Sequence, residues 1–291
     1  MIVQLLLNGL IVGSVYSLIA IGLALTYRTC GFFNLAHAAV FAVAPYAAYA
    51  VLVHAHGASW LALVTGVLSA ILVGSLCYRG VYQPLRQRRA DPLVLFLASL
   101  GLFVVIEGGL GLFFGFEARS LPQEHIAAGV GVVGARITVI QMITLASVLG
   151  IVSCWCLALA RTDYGLLLRA IASDYNLAKI SGVQTDRVTH IGFIASSFAA
   201  GIGGLLQGYD TGLTPAMGFG GILVGIIAVV IGGGSAVLSA VAAMLLGVLQ
   251  QVVVCFLPTQ WQDASVFVVL MVALLLKPKK AIGDTEKRKA V

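Results

Sequence analysis

The chain has 291 residues, of which 60% are hydrophobic and only 10% are charged, and its formal net charge is +6. A soluble domain carries roughly 25% charged residues, so this composition excludes an ordinary soluble protein. The basic residues are not interleaved with aromatic residues along a polar face. The excess positive charge therefore indicates contact with membrane lipid and argues against a nucleic-acid partner.

Nine apolar segments of the chain are candidate membrane spans, because most approach the roughly 20 residues that a bilayer requires. In chain order they are 3–27, 35–53, 60–78, 93–114, 138–160, 188–208, 220–233, 235–256 and 264–277. The segment 220–233 is short, so eight crossings with one re-entrant piece are the alternative to nine. The predicted fold class is all-α: a polytopic transmembrane helix bundle of about 8–9 spans with interrupted or re-entrant segments, in a single membrane domain, residues 1–291.

The positions of the 17 Lys and Arg residues predict how the bundle is oriented. All except Arg119 and Arg136 lie at Arg28, in the loop at about 79–92, in the loop at about 161–187, or in the tail 277–291. Basic residues near the ends of spans stay on the cytoplasmic side. We therefore predict that both loops and the tail are cytoplasmic. With nine crossings the N-terminus is then on the outer side.

Two segments interrupt the helical pattern within the apolar sequence. The first, 29–37, contains Asn34 and His37. The second runs from Thr211 through Pro215 to Gly218, Gly220 and Gly221. Irregular backbone at membrane depth survives only where protein or a water-filled cavity satisfies it, and interrupted helices mark the pathway in transporters. We predict Asn34, His37 and Pro215 as pathway residues. For His37 a purely structural role is the alternative, since most lone histidines are structural.

Glu107 is the acidic residue that lies well inside a predicted span. Intramembrane carboxylates are costly, and by default they indicate a functional site. We therefore add Glu107 to the predicted pathway, where it binds a substrate ammonium group or faces a wet cavity. The alternative is a protonated or hydrogen-bonded packing residue near the end of its span.

The loop 161–187 has the pattern of a short amphipathic helix. Asp163 is predicted to cap its start and Gly182 its end. Its apolar stripe consists of Leu166, Leu167, Ala170, Ile171, Leu177 and Ala178. Such a helix on the cytoplasmic face either lies on the membrane surface or docks in the groove of a partner.

The chain lacks motifs for chemistry of its own. It contains no G-x-x-x-x-G-K-[ST] sequence, so any ATP that drives it is hydrolysed by another subunit. Its five cysteines form no metal-binding pattern, and no Ser/His/Asp or Cys/His arrangement predicts nucleophilic catalysis. We therefore expect no enzymatic activity, no metal and no cofactor in this chain.

Short motifs along the chain resemble those of one family in the same order. They are Asn8-Gly9-Leu10, Tyr16-Ser17-Leu18, Asn34-Leu35-Ala36-His37, Pro84-Leu85-Arg86, Arg169-Ala170, Asp174, Ala178, Gly182, Asp186-Arg187, Gly232-Gly233-Gly234-Ser235 and Lys277-Pro278. On these residues the chain resembles the permease subunits of bacterial ABC importers for branched-chain amino acids, of the shorter, H-type. The resemblance covers about residues 8–283.

The resemblance implies a translocation pathway for branched-chain or hydrophobic amino acids, formed with a second permease subunit that is homologous or identical. Two cytoplasmic ATPase subunits supply the power, and a periplasmic substrate-binding protein delivers the amino acid. The residues that the resemblance implies for coupling to the ATPase subunits are Arg169, Ala170, Asp174, Ala178 and Gly182. The expected location is the bacterial inner membrane, multi-pass, with a cytoplasmic C-terminus and a periplasmic N-terminus.

The chain departs from the family pattern at a few positions, and these leave the substrate open. Ala38 stands where glycine is usual, and Glu107 stands where glutamine is usual. Related permeases carry urea or short amides, which is one alternative. The other is a self-sufficient, ion-coupled secondary transporter of amino acids, in which Glu107 is the proton site.

Overall fold

The computed structural model of the protein describes residues 2–55, 57–122, 130–132 and 135–276. This part of the chain is almost entirely helical. Its α-helices are α1 Ile2–Cys30, α2 Ala36–Tyr49, α3 Ser59–Cys77, α4 Gln83–Gln87, α5 Pro92–Phe114, α6 Val139–Arg161, α7 Asp163–Ser173, α8 Tyr175–Ile180, α9 Thr185–Thr211, α10 Met217–Ile231, α11 Ala236–Phe256 and α12 Gln262–Leu276. A π-helical turn, Ala50–His54, extends α2, and another, Tyr78–Tyr82, joins α3 to α4.

Seven helices in the described part of the chain are long and apolar enough to cross a membrane, with the extended α2 and the joined α3 and α4 each counted once. Helices α10 and α12 are apolar but have 15 residues each, or about 22 Å at 1.5 Å per residue. The nine apolar helices coincide with the nine predicted segments, so the prediction of an all-α, polytopic bundle is confirmed. The choice between eight and nine crossings stays a prediction, and the predicted tail 277–291 lies outside the described residues.

A small β-hairpin lies in the connection between α5 and α6, where the sequence predicted only a loop. Its strands are β1, Val130–Val132, and β2, Ala135–Ile137, and they pair antiparallel. Immediately afterwards Thr138 caps α6, because its hydroxyl accepts a hydrogen bond from the backbone N–H of Gln141 and the Gln141 side chain accepts one from Thr138. This reciprocal pair fixes where the next membrane helix begins.

Helix α1 is the centre of the bundle. It is apolar all round, as is typical of a helix enclosed by others, and residues such as Leu18 and Leu23 have no exposed surface. Its glycines allow a close approach to α11. A methyl group on Gly9 would lie 2.7 Å from the Cα of Val248, and one on Gly13 would lie 2.5 Å from the carbonyl oxygen of Met244. Small residues let helices approach in this way where lipid supplies no hydrophobic drive.

Helices α5, α6 and α12 lie at the periphery. Several of their large apolar side chains are exposed, including Val105 and Phe113 of α5 and Leu149 of α6. An apolar outer surface of this kind suits contact with lipid or with another membrane subunit. The fold thus has an enclosed centre built from α1, α2, α9 and α10, with peripheral helices that keep a free apolar face.

Candidate functional site

The first interruption separates α1 from α2. It begins at Gly31, whose positive φ of 74° suits glycine, and α2 begins at Ala36. Two hydrogen bonds to side chains of other helices satisfy a side-chain and a backbone group of this segment. Tyr82 donates to the Asn34 carbonyl Oδ1 at 2.7 Å, and the Leu35 backbone N–H donates to the Ser99 hydroxyl at 3.1 Å. The protein itself thus supplies the partners that irregular backbone needs at membrane depth.

The start of α2 lies deep in the bundle. The His37 ring packs against Gly22 of α1, and its Nδ1 is 3.2 Å from the Ser196 hydroxyl of α9. Gly22 is eight residues before the end of α1 and Ser196 is 11 residues after the start of α9. At 1.5 Å per residue, His37 is about 12–16 Å from those helix ends. The chain therefore turns back into the bundle after α1 before α2 begins.

The second interruption separates α9 from α10. It is shorter than predicted, because Gly218, Gly220 and Gly221 belong to the first turns of α10 and only residues 212–216 are irregular. Arg119 holds it in place through two backbone hydrogen bonds with Leu213, of 3.0 and 2.8 Å.

Arg119 has a side-chain contact as well. Its guanidinium donates to the Tyr49 hydroxyl at 2.9 Å and so connects the second interruption with the end of α2. In the sequence, Arg119 differs from most other basic residues only in lying outside the basic clusters. That isolation was the one available signal of a specific role.

The two interruptions bring the starts of α2 and α10 together. Gly218 packs directly on the first turn of α2, where a methyl group would overlap the carbonyl oxygen of Ala38. Next to it, the centre of the Phe219 ring lies 5.5 Å from the centre of the Phe103 ring of α5, with the ring planes tilted by 34°. Two helices that begin side by side inside a bundle are the arrangement that transporters build from discontinuous helices.

The four predicted pathway residues have different surroundings. Asn34 and His37 are 5% and 2% exposed, and Pro215 is also buried. Glu107 is half-buried on the peripheral helix α5, and no hydrogen bond or ion pair joins it to another described residue. His37 lies in the first turn of α2 and Pro215 lies two residues before α10, whereas Asn34 is bonded to Tyr82. Glu107 lies on a face that this chain leaves open. Among the described residues, no group of three or more His, Cys, Asp or Glu side chains could hold a metal ion.

The loop 161–187 forms two helices, α7 and α8, where the sequence predicted one. The predicted cap was wrong by one residue, because the Thr162 hydroxyl, not Asp163, accepts from the Gly165 N–H. Asp174 ends α7 and caps α8, with its carboxylate accepting from the Leu177 N–H at 2.9 Å. A side chain that competes for backbone hydrogen bonds in this way interrupts a helix. Gly182 follows α8 with a φ of 86°, as its predicted role at the end requires.

The inward face of the loop packs against α9. Leu168 and Ile171 are fully buried, and Ala178 is 6% exposed in a cluster with Val188. Tyr164 donates to the Val188 carbonyl at 3.3 Å, and burial raises the pKa of its hydroxyl above the ordinary value.

The outward face of the loop differs from the predicted stripe, since the break at Asp174 changes the phase between the two helices. Leu177 and Ile180 of α8 are 63% and 84% exposed. The predicted coupling residues Arg169, Ala170, Asp174 and Gly182 are exposed as well. Ala178 is the exception, since it faces the bundle and its side chain has no access to a partner.

Discontinuous helices that meet inside a multi-pass apolar bundle are typical of membrane transporters. One solved structure, titled PsaBC from Streptococcus pneumoniae in complex with Fab, matches 94% of this chain and 92% of its own chain with a TM-score of 0.52 and 12% sequence identity. At that identity the likeness shows a shared fold.

The family is shown by sequence. The family model described as "Branched-chain amino acid transport system / permease component" matches residues 5–275, and the chain belongs to this family. It is 28% identical to the high-affinity branched-chain amino acid transport system permease protein LivH of Salmonella typhimurium, over 98% of this chain and 97% of the relative. It is 25% identical to the corresponding protein BraD of Pseudomonas aeruginosa, over 98% and 97%. The resemblance drawn from the short motifs is thus confirmed.

Proposed function

We propose that this chain imports branched-chain or other hydrophobic amino acids as the permease subunit of an ABC importer in the bacterial inner membrane. The observation that carries the proposal is the arrangement of two helices, α2 and the shorter α10, that start together inside the bundle of a branched-chain amino acid permease. In this proposal, movement of either helix opens a route beside their shared contact. The mechanism is alternating access, with ATP hydrolysed by partner subunits and no cofactor in this chain.

One of the two ATPase subunits is the proposed occupant of the outward face of the loop 161–187, and the other is proposed to bind the equivalent loop of the second permease subunit. Leu177 and Ile180 present apolar side chains beside the charged Arg169 and Asp174, and a short helix with such a face docks in the groove of a partner. The positive residues of this loop favour a cytoplasmic location, where ATP is available. Ala178 contributes by holding α8 against the bundle.

A second permease subunit, identical or homologous, is the proposed neighbour of α5. On this helix, space is open around Gly101, Gly108 and Gly109, with no heavy atom of the described chain within 4 Å of an added methyl group. Small residues on the face of a membrane helix favour contact with another helix. Glu107 lies among them, and an unpaired carboxylate facing lipid costs about 2.5–3.5 kcal/mol or more. A subunit interface that contains water removes that cost.

A periplasmic binding protein then delivers the substrate to the end of the bundle at which α2, α5 and α9 end. The route passes Glu107 on α5 before it reaches the buried contact of α2 with α10. In this proposal the carboxylate attracts the substrate ammonium group, and the exposed apolar residues of α5 suit an aliphatic side chain.

Glu107→Gln tests this route. We expect uptake of leucine at low concentration to fall about tenfold, since a charge–dipole contact replaces an ion pair and 1.4 kcal/mol corresponds to a factor of ten. Initial uptake rates over a range of leucine concentrations measure the effect. Glu117→Gln, the same change in an exposed loop, is the matched control. Equal rates and equal substrate preference in both variants would remove Glu107 from the pathway.

The function itself is tested with purified components in proteoliposomes. Radiolabelled leucine is offered to vesicles that contain this chain alone, or this chain with the second permease, the ATPase subunits and the binding protein. We expect uptake only in the complete system and only with ATP at the ATPase side. Uptake by the chain alone under a proton gradient would establish a secondary transporter instead. Competition by urea or acetamide, and not by leucine, would establish an amide permease.

A further inference from the structure

Arg86 joins three separate parts of the molecule at the basic end of the bundle. Its side chain extends from α4 to the end of α1, where one guanidinium nitrogen donates to the Thr29 carbonyl at 3.4 Å and the other lies 3.6 Å from the Cys30 sulfur. The guanidinium carbon also lies 4.8 Å from the centre of the Tyr175 ring. Tyr175 belongs to α8, so one side chain contacts both the loop 161–187 and the first interruption.

The contact with α1 has a clear physical basis. The last carbonyl groups of a helix lack intrahelical partners and carry the negative end of its dipole. A cation with several fixed N–H donors satisfies both needs. Because Thr29 and Cys30 are the last residues before the interruption, Arg86 stabilises the point at which the chain leaves α1 and turns inward.

The other side of the interruption is held by the same segment. Tyr82 lies one helical turn before Arg86, and its hydroxyl donates to Asn34 at 2.7 Å. The segment from Tyr82 to Arg86 therefore contacts the residues on either side of Gly31. A displacement of this segment moves both ends of the interruption together, and with them the start of α2.

Tyr175 is positioned to transmit such a displacement. Its hydroxyl accepts from Thr185 at 3.1 Å and donates to the Asp186 carboxylate at 3.5 Å, so the ring is fixed between α8 and the start of α9. The flat face that remains is the one beneath the Arg86 guanidinium, in the geometry of a cation–π contact.

We propose that the contact between Arg86 and Tyr175 couples movement of the loop 161–187 to the first interruption, and that Arg86 is a positioning residue for transport. This inference rests on the proposed function, in which ATPase subunits move that loop. Arg86 acts on the carbonyl of Thr29, and through that carbonyl and Tyr82 on the start of α2. It contacts no substrate.

The test uses the complete importer in proteoliposomes and measures leucine molecules imported per ATP hydrolysed. For Arg86→Gln and Tyr175→Leu we expect ATP hydrolysis within twofold of the wild type and a ratio that is at least tenfold lower. Tyr175→Phe keeps the ring and is expected to keep the ratio within threefold. Arg88→Gln, in the same loop but exposed, is the matched control and should leave the ratio unchanged.

If Arg86 only stabilises the fold, the same experiment gives a different result. ATP hydrolysis, uptake and thermal stability would then fall together, the ratio would stay constant, and the inference would be overturned. If Arg86→Gln fails to assemble, Tyr175→Leu still tests the inference, because the Tyr175 ring lies at the surface of the bundle.

The double variant should have a ratio of leucine imported to ATP hydrolysed that is no lower than that of either single variant. A wild-type importer without ATP-driven uptake refutes the proposed function, whereas normal coupling ratios in both variants refute this inference alone.

Discussion

Gly218→Ala is expected to abolish transport and to lower the stability of the folded permease. The added methyl group would overlap the carbonyl oxygen of Ala38, which is backbone at the start of α2 and has no rotamer by which to move away. Overpacking of a tight interior costs about 1–3 kcal/mol, and a rigid neighbour places this case at the upper end. Thermal unfolding of the purified permease and leucine uptake by the reconstituted importer measure the two effects.

Gly220→Ala is the matched control, two residues further along α10. An added methyl group there meets nothing within 4 Å among the described residues, and alanine favours a helix over glycine by up to about 1 kcal/mol. The control is therefore expected to be neutral or slightly stabilising, with normal uptake. If Gly218→Ala were as stable and as active as Gly220→Ala, the starts of α2 and α10 would not be in contact as described.

The membrane helices could be predicted closely from the sequence, because few backbone conformations are possible in the hydrocarbon core of a bilayer. A polar backbone in lipid must form a helix, and the length of the apolar run sets the length of the helix. The predicted spans 93–114 and 235–256 thus agree with α5, Pro92–Phe114, and α11, Ala236–Phe256. The first interruption was also predictable, since Gly31 adopts a conformation that other residues avoid.

The contacts made by the interruptions could not be predicted, because they join distant parts of the chain. Asn34 bonds to Tyr82, 48 residues away, and no local pattern relates the two positions. Gly218 appeared to belong to an irregular segment and is instead helical, since its role is to permit close packing and not an unusual φ. Only the three-dimensional arrangement shows that this glycine faces Ala38.

The loop 161–187 shows a different limit of sequence reasoning. The apolar periodicity was real, but Asp174 ends one helix and begins another by bonding to the backbone. A break of this kind shifts the phase of the stripe, so Leu177 faces outward while Ala178 faces the bundle. The candidate coupling surface could therefore be located in the chain, but the side chains that compose it required the structure.

Leu177→Asp and Ile180→Asp are each expected to weaken the proposed binding of the ATPase subunits by roughly thirtyfold or more. Both side chains are mostly exposed in this chain and would be buried in the groove of a docked partner. An apolar anchor of an interface contributes about 2 kcal/mol or more, and a buried, unpaired carboxylate adds a further desolvation cost. Titration of ATPase subunits onto the permease in lipid nanodiscs measures the dissociation constants.

Asn176→Asp is the control that separates charge from apolar contact. It places the same negative charge on the same short helix, at an exposed position, without removing apolar surface. Its effect on the dissociation constant is expected to stay within about threefold, since an exposed charge pair is worth about 0–1 kcal/mol. Equal weakening by all three substitutions would mean that the loop responds to charge alone. Undiminished binding in Leu177→Asp and Ile180→Asp would place the ATPase elsewhere and leave α8 as a helix at the membrane surface.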